Sequence, residues 1–174
     1  QAYSPFPLRH FAANNANQHE EPLAKEGLAT LTRIYDAVSG RCLVPGNQVD
    51  MLVNGEEAYP AMLAAIHEAK ESVYLASYLF EGNATGRQFI GALRRAQGRG
   101  VDVRVLVDGI GQWHTRPPAS RILQQAGLRT ATFVRPRIIP PTLHLNLRLH
   151  HKILTVDGHT GFTGGMNIGD RHLV

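Results

Sequence analysis

At 174 residues, with 43% hydrophobic and 18% charged residues, the chain is long enough to bury one core and has the composition of a single soluble α/β domain. Its formal charge of +4 arises from fifteen Arg and three Lys against 14 acidic residues, a balance that favours anionic partners such as phospholipid headgroups or nucleic acid without choosing between them. A single cysteine, Cys42, excludes an intramolecular disulfide and, with no Cys/His pattern at metal spacing, indicates no zinc site; it is expected to be a small buried or interfacial residue.

Residues 1–22 carry Pro5, Pro7 and Pro22 and an Asn-rich stretch, which predicts an irregular amino-terminal arm. In residues 23–38, Leu28, Leu31, Ile34, Tyr35 and Val38 recur at helical spacing before Gly40, so residues 23–48 read as an amphipathic helix and a connection. From residue 49 the pattern turns to strand and helix in alternation: a strand at 49–53, a turn at Asn54-Gly55, a helix at 56–70 and a strand at 73–80. A helix at 86–98, a strand at 101–107, a helix at 118–126 and a strand at 130–134 follow. That order predicts an α/β fold with a largely parallel sheet flanked by helices. In such sheets ligands gather beyond the carboxyl ends of the strands, here residues 78–83, 108–113 and 136–147. Trp113-His114 reads either as an exposed pair touching lipid or base, or as a loop packed on the domain. No apolar run is long enough for a transmembrane helix and no signal peptide is recognisable.

The chemistry concentrates in the last quarter. His150, Lys152 and Asp157 stand at H-x-K-x4-D spacing, followed by Gly164, Gly165 and Asn167. The first three alone occur by accident in roughly one chain per hundred of this length, whereas the added glycines and asparagine make accident improbable. Lys152 to Val156 has strand character, Asp157-Gly158 is a hairpin turn, and residues 161–163 return as a second strand. On alternating strand positions His150 and Lys152 face one side, and His151 faces away. An imidazole to attack phosphorus, an ammonium to hold the nonbridging oxygens and an amide to hydrogen-bond to them are the groups a phosphodiester calls for. Gly164 and Gly165 would let backbone approach a phosphate. Arg148, with Arg135 and Arg137 upstream, is a candidate substrate contact. Asp157 is assigned to the catalytic set, although an Asp-Gly turn alone would explain it; Asp170 is a weak candidate for the carboxylate that orients His150. Lys152 and the imidazoles supply the charge a divalent cation would bring, so no metal and no cofactor are expected.

With these phrases the chain resembles the phospholipase D superfamily, whose signature is this HKD motif, and within it the bacterial cardiolipin synthase-like members. The resemblance extends through Asn54-Gly55-Glu56-Glu57, Ser77-Tyr78-Leu79-Phe80, residues 99–109 and Gly164-Gly165-Met166-Asn167-Ile168-Gly169-Asp170, about residues 49–174 in all. It implies a phosphatidyltransferase or phospholipase D-type enzyme that passes a phosphatidyl group through a phosphohistidine, on an anionic, phosphatidylglycerol-like substrate, with peripheral contact to the cytoplasmic side of a bacterial membrane. Such enzymes carry two HKD motifs in one polypeptide and this sequence carries one, so the resemblance implies that residues 49–174 form one HKD half, incomplete at its C-terminus. It also implies a need for a second HKD half or a homodimer partner. Leu149 and His151 stand where relatives commonly read Asn and Arg, and Asn83 where an Asp is frequent. Two alternatives stay open: a single-HKD homodimeric nuclease, and a non-catalytic half that binds lipid without turnover.

Overall fold

The structure, a computed structural model, describes residues 22–42, 44–134 and 148–174. The predicted arm up to residue 21, Arg135, Arg137 and the loop 136–147 lie outside the described residues. The chain divides into two compact units, Gln1–Met51 and Leu52–Val174.

In the first unit, helix α1 spans Pro22–Ser39. It stops where Gly40 takes φ +64° and donates its N–H to Asp36 O at 2.9 Å, a glycine termination in the left-handed region. Cys42 is exposed, which departs from the buried alternative and not from the interfacial one. It lies in a stretch with neither helix nor strand, which supplies no layer to cover it.

The second unit opens with α2 (Asn54–Glu68), followed by β1 (Ser72–Ser77), α3 (Ala84–Gly98), β2 (Asp102–Asp108), a 3-10 turn at Gly111–His114, α4 (Ala119–Gln125) and β3 (Arg129–Phe133), then the hairpin β4 (Ile153–Val156) and β5 (Thr160–Thr163). The expected strand at 49–53 does not form. Val53 is instead the extended N-cap of α2, its N–H held by Glu57 Oε2 at 2.8 Å. Helix α3 starts two residues before its predicted start because Asn83 caps it, accepting from Gly86 N–H at 3.2 Å.

The sheet order is β3-β2-β1-β4-β5. Strands β1, β2 and β3 run parallel, while β4 lies antiparallel to β1 with Val73 opposite Val156 and Ala76 opposite Ile153. The fold is therefore mixed α/β, a parallel half joined to an antiparallel hairpin and flanked by helices. Strand alternation explains the core: Val73 and Leu75 of β1, Val103, Val105 and Val107 of β2, and Leu154 and Val156 of β4 are buried with Ile66 of α2 and Phe89, Leu93 and Ala96 of α3.

The hairpin turns on Asp157 (φ +53°) and Gly158 (φ +72°), closed by His159 N–H to Val156 O at 3.2 Å. Positive φ at both central residues is the type I′ geometry that Asp-Gly favours. Asp157 does more than turn the chain. Its carboxylate accepts the backbone N–H groups of Lys70, Glu71 and Ser72 at 2.9, 2.9 and 2.8 Å, fastening the hairpin to the segment between α2 and β1. Desolvation pushes its pKa up, but the hydrogen bonds from Ser72, Lys70 and Glu71 outweigh it and hold the carboxyl below the ordinary range.

A depressed folded-state pKa adds stability above the unfolded carboxyl value that is lost as pH falls through the folded value. Asp157→Asn, which keeps the left-handed turn, is therefore expected to cost about 1–2 kcal/mol at pH 7, after allowance for solvent screening. Urea unfolding of the two proteins should give midpoints that converge once the pH lies below the folded-state pKa; a difference that persists there would show that the charge is not the cause.

Candidate active site

Because β4 is antiparallel to β1, its amino-terminal end lies beside the carboxyl ends of β1 and β2. The residues leading into β4 thus meet the crevice where α/β sheets gather ligands. Leu149 is buried, and its N–H donates to Asp108 Oδ2 at 2.7 Å. The other oxygen of Asp108 accepts from Ile110 N–H at 2.9 Å and Gly111 N–H at 2.6 Å. Asp108 is only 1% exposed, so this one carboxyl, ending an apolar strand, fixes both the turn after β2 and the backbone directly ahead of His150.

His150 and Lys152 come together over Tyr78, the first residue beyond β1. The imidazole and phenol ring centroids are 5.4 Å apart and tilted by 49°. Lys152 Nζ lies 5.5 Å from the same phenol centroid and donates to His150 O at 2.8 Å. Partial burial pushes the Lys152 ammonium below its ordinary pKa, a desolvation cost that the face of an aromatic ring partly offsets, by about 0.5–1 kcal/mol at sites that keep solvent contact. Tyr78 is itself fixed by Gly111: a Cβ there would stand 2.2 Å from Tyr78 O and 3.1 Å from its ring, so only glycine fits.

Asn167, in the chain that follows β5, is held at Leu79, one residue beyond Tyr78. The chain after β5 returns beside residues 79–81, with Phe80 and Ile168 forming a parallel bridge and Ile168 N–H donating to Leu79 O at 3.1 Å. Asn167 Oδ1 accepts from Leu79 N–H at 3.0 Å, its own N–H donates to His172 Nε2 at 3.2 Å, and its carbonyl accepts from Tyr59 Oη–H at 2.8 Å. With Oδ1 committed, Nδ2 is the atom left to donate to a ligand.

The remaining expected residues divide. Arg148 is exposed, next to the buried Leu149. A Cβ at Gly164 or Gly165 would meet nothing within 4 Å, so open space, not crowding, surrounds this pair. Asp157 is not brought to the cluster: it sits at the far end of β4, its oxygens occupied by the three backbone donors. Asp170 does not orient His150 either, since it accepts from Thr85 N–H at 2.8 Å and Ala84 N–H at 3.3 Å at the start of α3, where the Thr85 side chain and backbone lower its pKa. Anions belong at a helix amino terminus, and that is where the fold puts this one.

Residues 62–174 match the protein family described as cardiolipin synthase, PLD-like domain. The chain belongs to this family. The protein named major cardiolipin synthase ClsA of Bacillus subtilis is 35% identical over 127 residues, 73% of this chain and 26% of that protein. A cardiolipin synthase of Listeria monocytogenes is 31% identical over 134 residues, 77% of this chain and 28% of its own length. The chain thus spans about a quarter of the curated relatives it matches. NucT from Helicobacter pylori shares the fold, at a TM-score of 0.51 and 18% identity over 65% of this chain and 68% of that one.

For this PLD-like domain, sequence reasoning placed Tyr78 and Asp108 only among pocket walls. The available signal was an aspartate closing an apolar strand just before Gly109-Ile110-Gly111, the pattern of an Asx turn that holds a ligand loop. Asp108→Ala would orphan three backbone N–H groups around a fully buried position, and is expected to lower stability by about 3 kcal/mol. Chemical denaturation measures this directly; a loss within experimental error of zero would mean that water replaces the carboxyl and that the site does not depend on it.

Proposed function

We propose that this chain supplies one half of a phosphatidyltransferase or phospholipase D-type site that works through a phosphohistidine, in the manner of a cardiolipin synthase. The observation that carries the reading is the convergence of His150 and Lys152 on Tyr78, with Asn167 fixed one residue further along the same strand exit. His150 attacks phosphorus, an N–P bond forms, and the P–O bond to the leaving alcohol breaks. Lys152 Nζ and Asn167 Nδ2 bind the nonbridging oxygens as charge builds on them, with Arg148 at the rim. An alcohol of a second lipid, or water, then attacks phosphorus, an O–P bond forms as the N–P bond to His150 breaks, and its proton passes to the group that protonated the first leaving alcohol, so that the phosphatidyl group is transferred and His150 is freed.

The proton for the first leaving alcohol has to come from a second acid on the opposite side of phosphorus. We assign that acid to a second HKD-bearing half or to a second copy of the chain. The domain reading follows: residues 49–174 carry one HKD half, and residues 23–48 a preceding helix and connection. Asp157 is a positioning residue in this scheme, because it anchors the strand whose other end holds Lys152. Lys152 and the basic residues supply the positive charge at phosphorus, so we assign no metal to the step.

Native mass spectrometry establishes the assembly, which is then offered phosphatidylglycerol vesicles and plasmid DNA. Phosphatidyl transfer or headgroup release that persists in EDTA is expected, together with an acid-labile phosphoenzyme. His150→Ala should abolish both, and Lys152→Ala should slow turnover by about 100-fold or more. Cleavage of DNA with no action on lipid would replace this reading with a homodimeric nuclease. Lipid binding that survives His150→Ala, with no turnover by any assembly, would leave a non-catalytic binding half.

A further inference from the structure

The charges of this chain are unevenly distributed. Between Asp108 and Asp157 no acidic residue occurs: residues 109–156 hold six Arg, one Lys and no Asp or Glu. The remaining residues hold 18 − 7 = 11 basic side chains against 14 acidic ones, a formal −3. A chain that is +4 overall is therefore +7 in one continuous stretch and negative elsewhere, and the stretch begins at the carboxyl end of β2, on the sheet edge that carries His150.

The first part of that stretch is a built loop. Asp108 holds its base through Ile110 and Gly111. Trp113 N–H donates to Ile110 O at 2.9 Å, Thr115 Oγ1 to Gln112 O at 2.9 Å, and Ser120 Oγ to Gln112 Oε1 at 2.6 Å. Thr115, Ala119 and Leu123 are buried and tie the loop and α4 to the body of the domain. From this frame Trp113 projects outward, 61% exposed, with His114, Arg116 and Arg121 exposed around it. Among the described residues neither arginine makes an ion pair. Arg129 does not belong to the patch, since it pairs with Asp102 at the opposite edge of the sheet.

We propose that residues 111–118, with Arg121, form the surface by which this half-site docks on an anionic phospholipid membrane, Trp113 seated at headgroup level and Arg116 and Arg121 against lipid phosphates. An indole is apolar with one N–H donor, which suits the boundary between acyl chains and water. Guanidinium groups beside it find phosphates there, and the stretch of sequence that carries them, residues 109–156, holds no acidic residue of its own. The hydrogen-bonded frame lowers the ordering cost of presenting the ring. Single-stranded nucleic acid is the poorer fit, because stacking platforms carry successive aromatic side chains along a groove and Trp113 is the one exposed Trp, Tyr or Phe among residues 109–134, with only His114 beside it. The loop touches the site through Gly111 against Tyr78 and through Asp108, so docking would bring the His150 edge to the lipid. The choice of lipid as occupant rests on the function proposed above.

Trp113 is the only tryptophan of the chain, so its emission reports on this surface alone. With vesicles of phosphatidylglycerol and phosphatidylcholine the emission should shift to the blue and be quenched by lipids brominated near the headgroup. With phosphatidylcholine alone, at physiological salt, it should not change. Arg116→Gln and Arg121→Gln should each weaken binding by about fivefold, and Trp113→Ala should reduce vesicle co-sedimentation with an unchanged circular dichroism spectrum and melting temperature. Co-sedimentation with a silent indole would place docking elsewhere and overturn the proposal. A shift with single-stranded DNA but not with vesicles would overturn it in favour of base stacking. His150→Ala must keep the lipid-induced shift: a silent indole in a protein whose turnover needs His150 defeats the docking surface alone, whereas turnover that survives His150→Ala defeats the proposed function alone.

Discussion

The antiparallel placement of β4 against β1 is the constraint on which the rest of this domain depends. Three parallel strands direct their carboxyl ends to one edge, and a fourth parallel strand in this position would have delivered its first residues to the opposite edge. Pairing Ala76 with Ile153 and Val73 with Val156 brings the amino-terminal end of β4, with His150 and Lys152 just ahead of it, to the crevice. A slip of one residue would exchange the faces of Leu154 and Val156, both in the core, for those of Ile153 and Thr155. Burial therefore locks the register, and the register locks the histidine.

Around that strand the fold uses polar side chains to satisfy backbone donors far away in sequence. Asp157 holds one end of β4 and Asp108 the segment before the other. Asp170 joins the final turn to the start of α3, and Asn167 joins the return from β5 to the exit of β1. Each bond from a charged acceptor contributes about 1.5–3 kcal/mol where it is buried and much less where it is solvated. Asp108, fully buried with three donors, is thus the strongest of the set. The consequence for the candidate site is subtractive: these side chains are committed to structural partners, whereas the ring of His150, the ammonium of Lys152 at Tyr78 and the Nδ2 of Asn167 are not taken up by the anchoring hydrogen bonds.

Electrostatics and shape act together at that edge. A continuous sequence without a carboxylate runs from the end of β2 to the end of β4, while the compensating acidic residues lie outside it. This distribution concentrates the positive charge of a domain of modest net charge in one stretch of its sequence. None of the helices among the described residues is long and apolar enough to cross a membrane, and contact through an exposed indole and guanidinium groups requires no such helix.

Much of this was legible in the sequence. Alternating helix and strand periodicity gave the order of elements and, within a few residues, their bounds, because hydrophobic period is a local property set by which face must be buried. The spacing of His150, Lys152 and Asn167 likewise marked the candidate site, since residue types and offsets are local properties of the sequence. The apolar alternation at Val49, Met51 and Val53 misled, because alternation marks a strand only where one face is buried, and these three side chains are exposed. Whether a carboxylate is catalytic or structural was equally out of reach: Asp157, Asp108 and Asp170 are the same residue type, and only their long-range partners assign them to a hairpin anchor, a buried clamp and a helix cap. The succession of elements and the residue types of the candidate site are thus local properties of the sequence. Which acids hold the backbone around that site, and that His150 and Lys152 meet at Tyr78, follow from contacts between residues some forty to ninety positions apart.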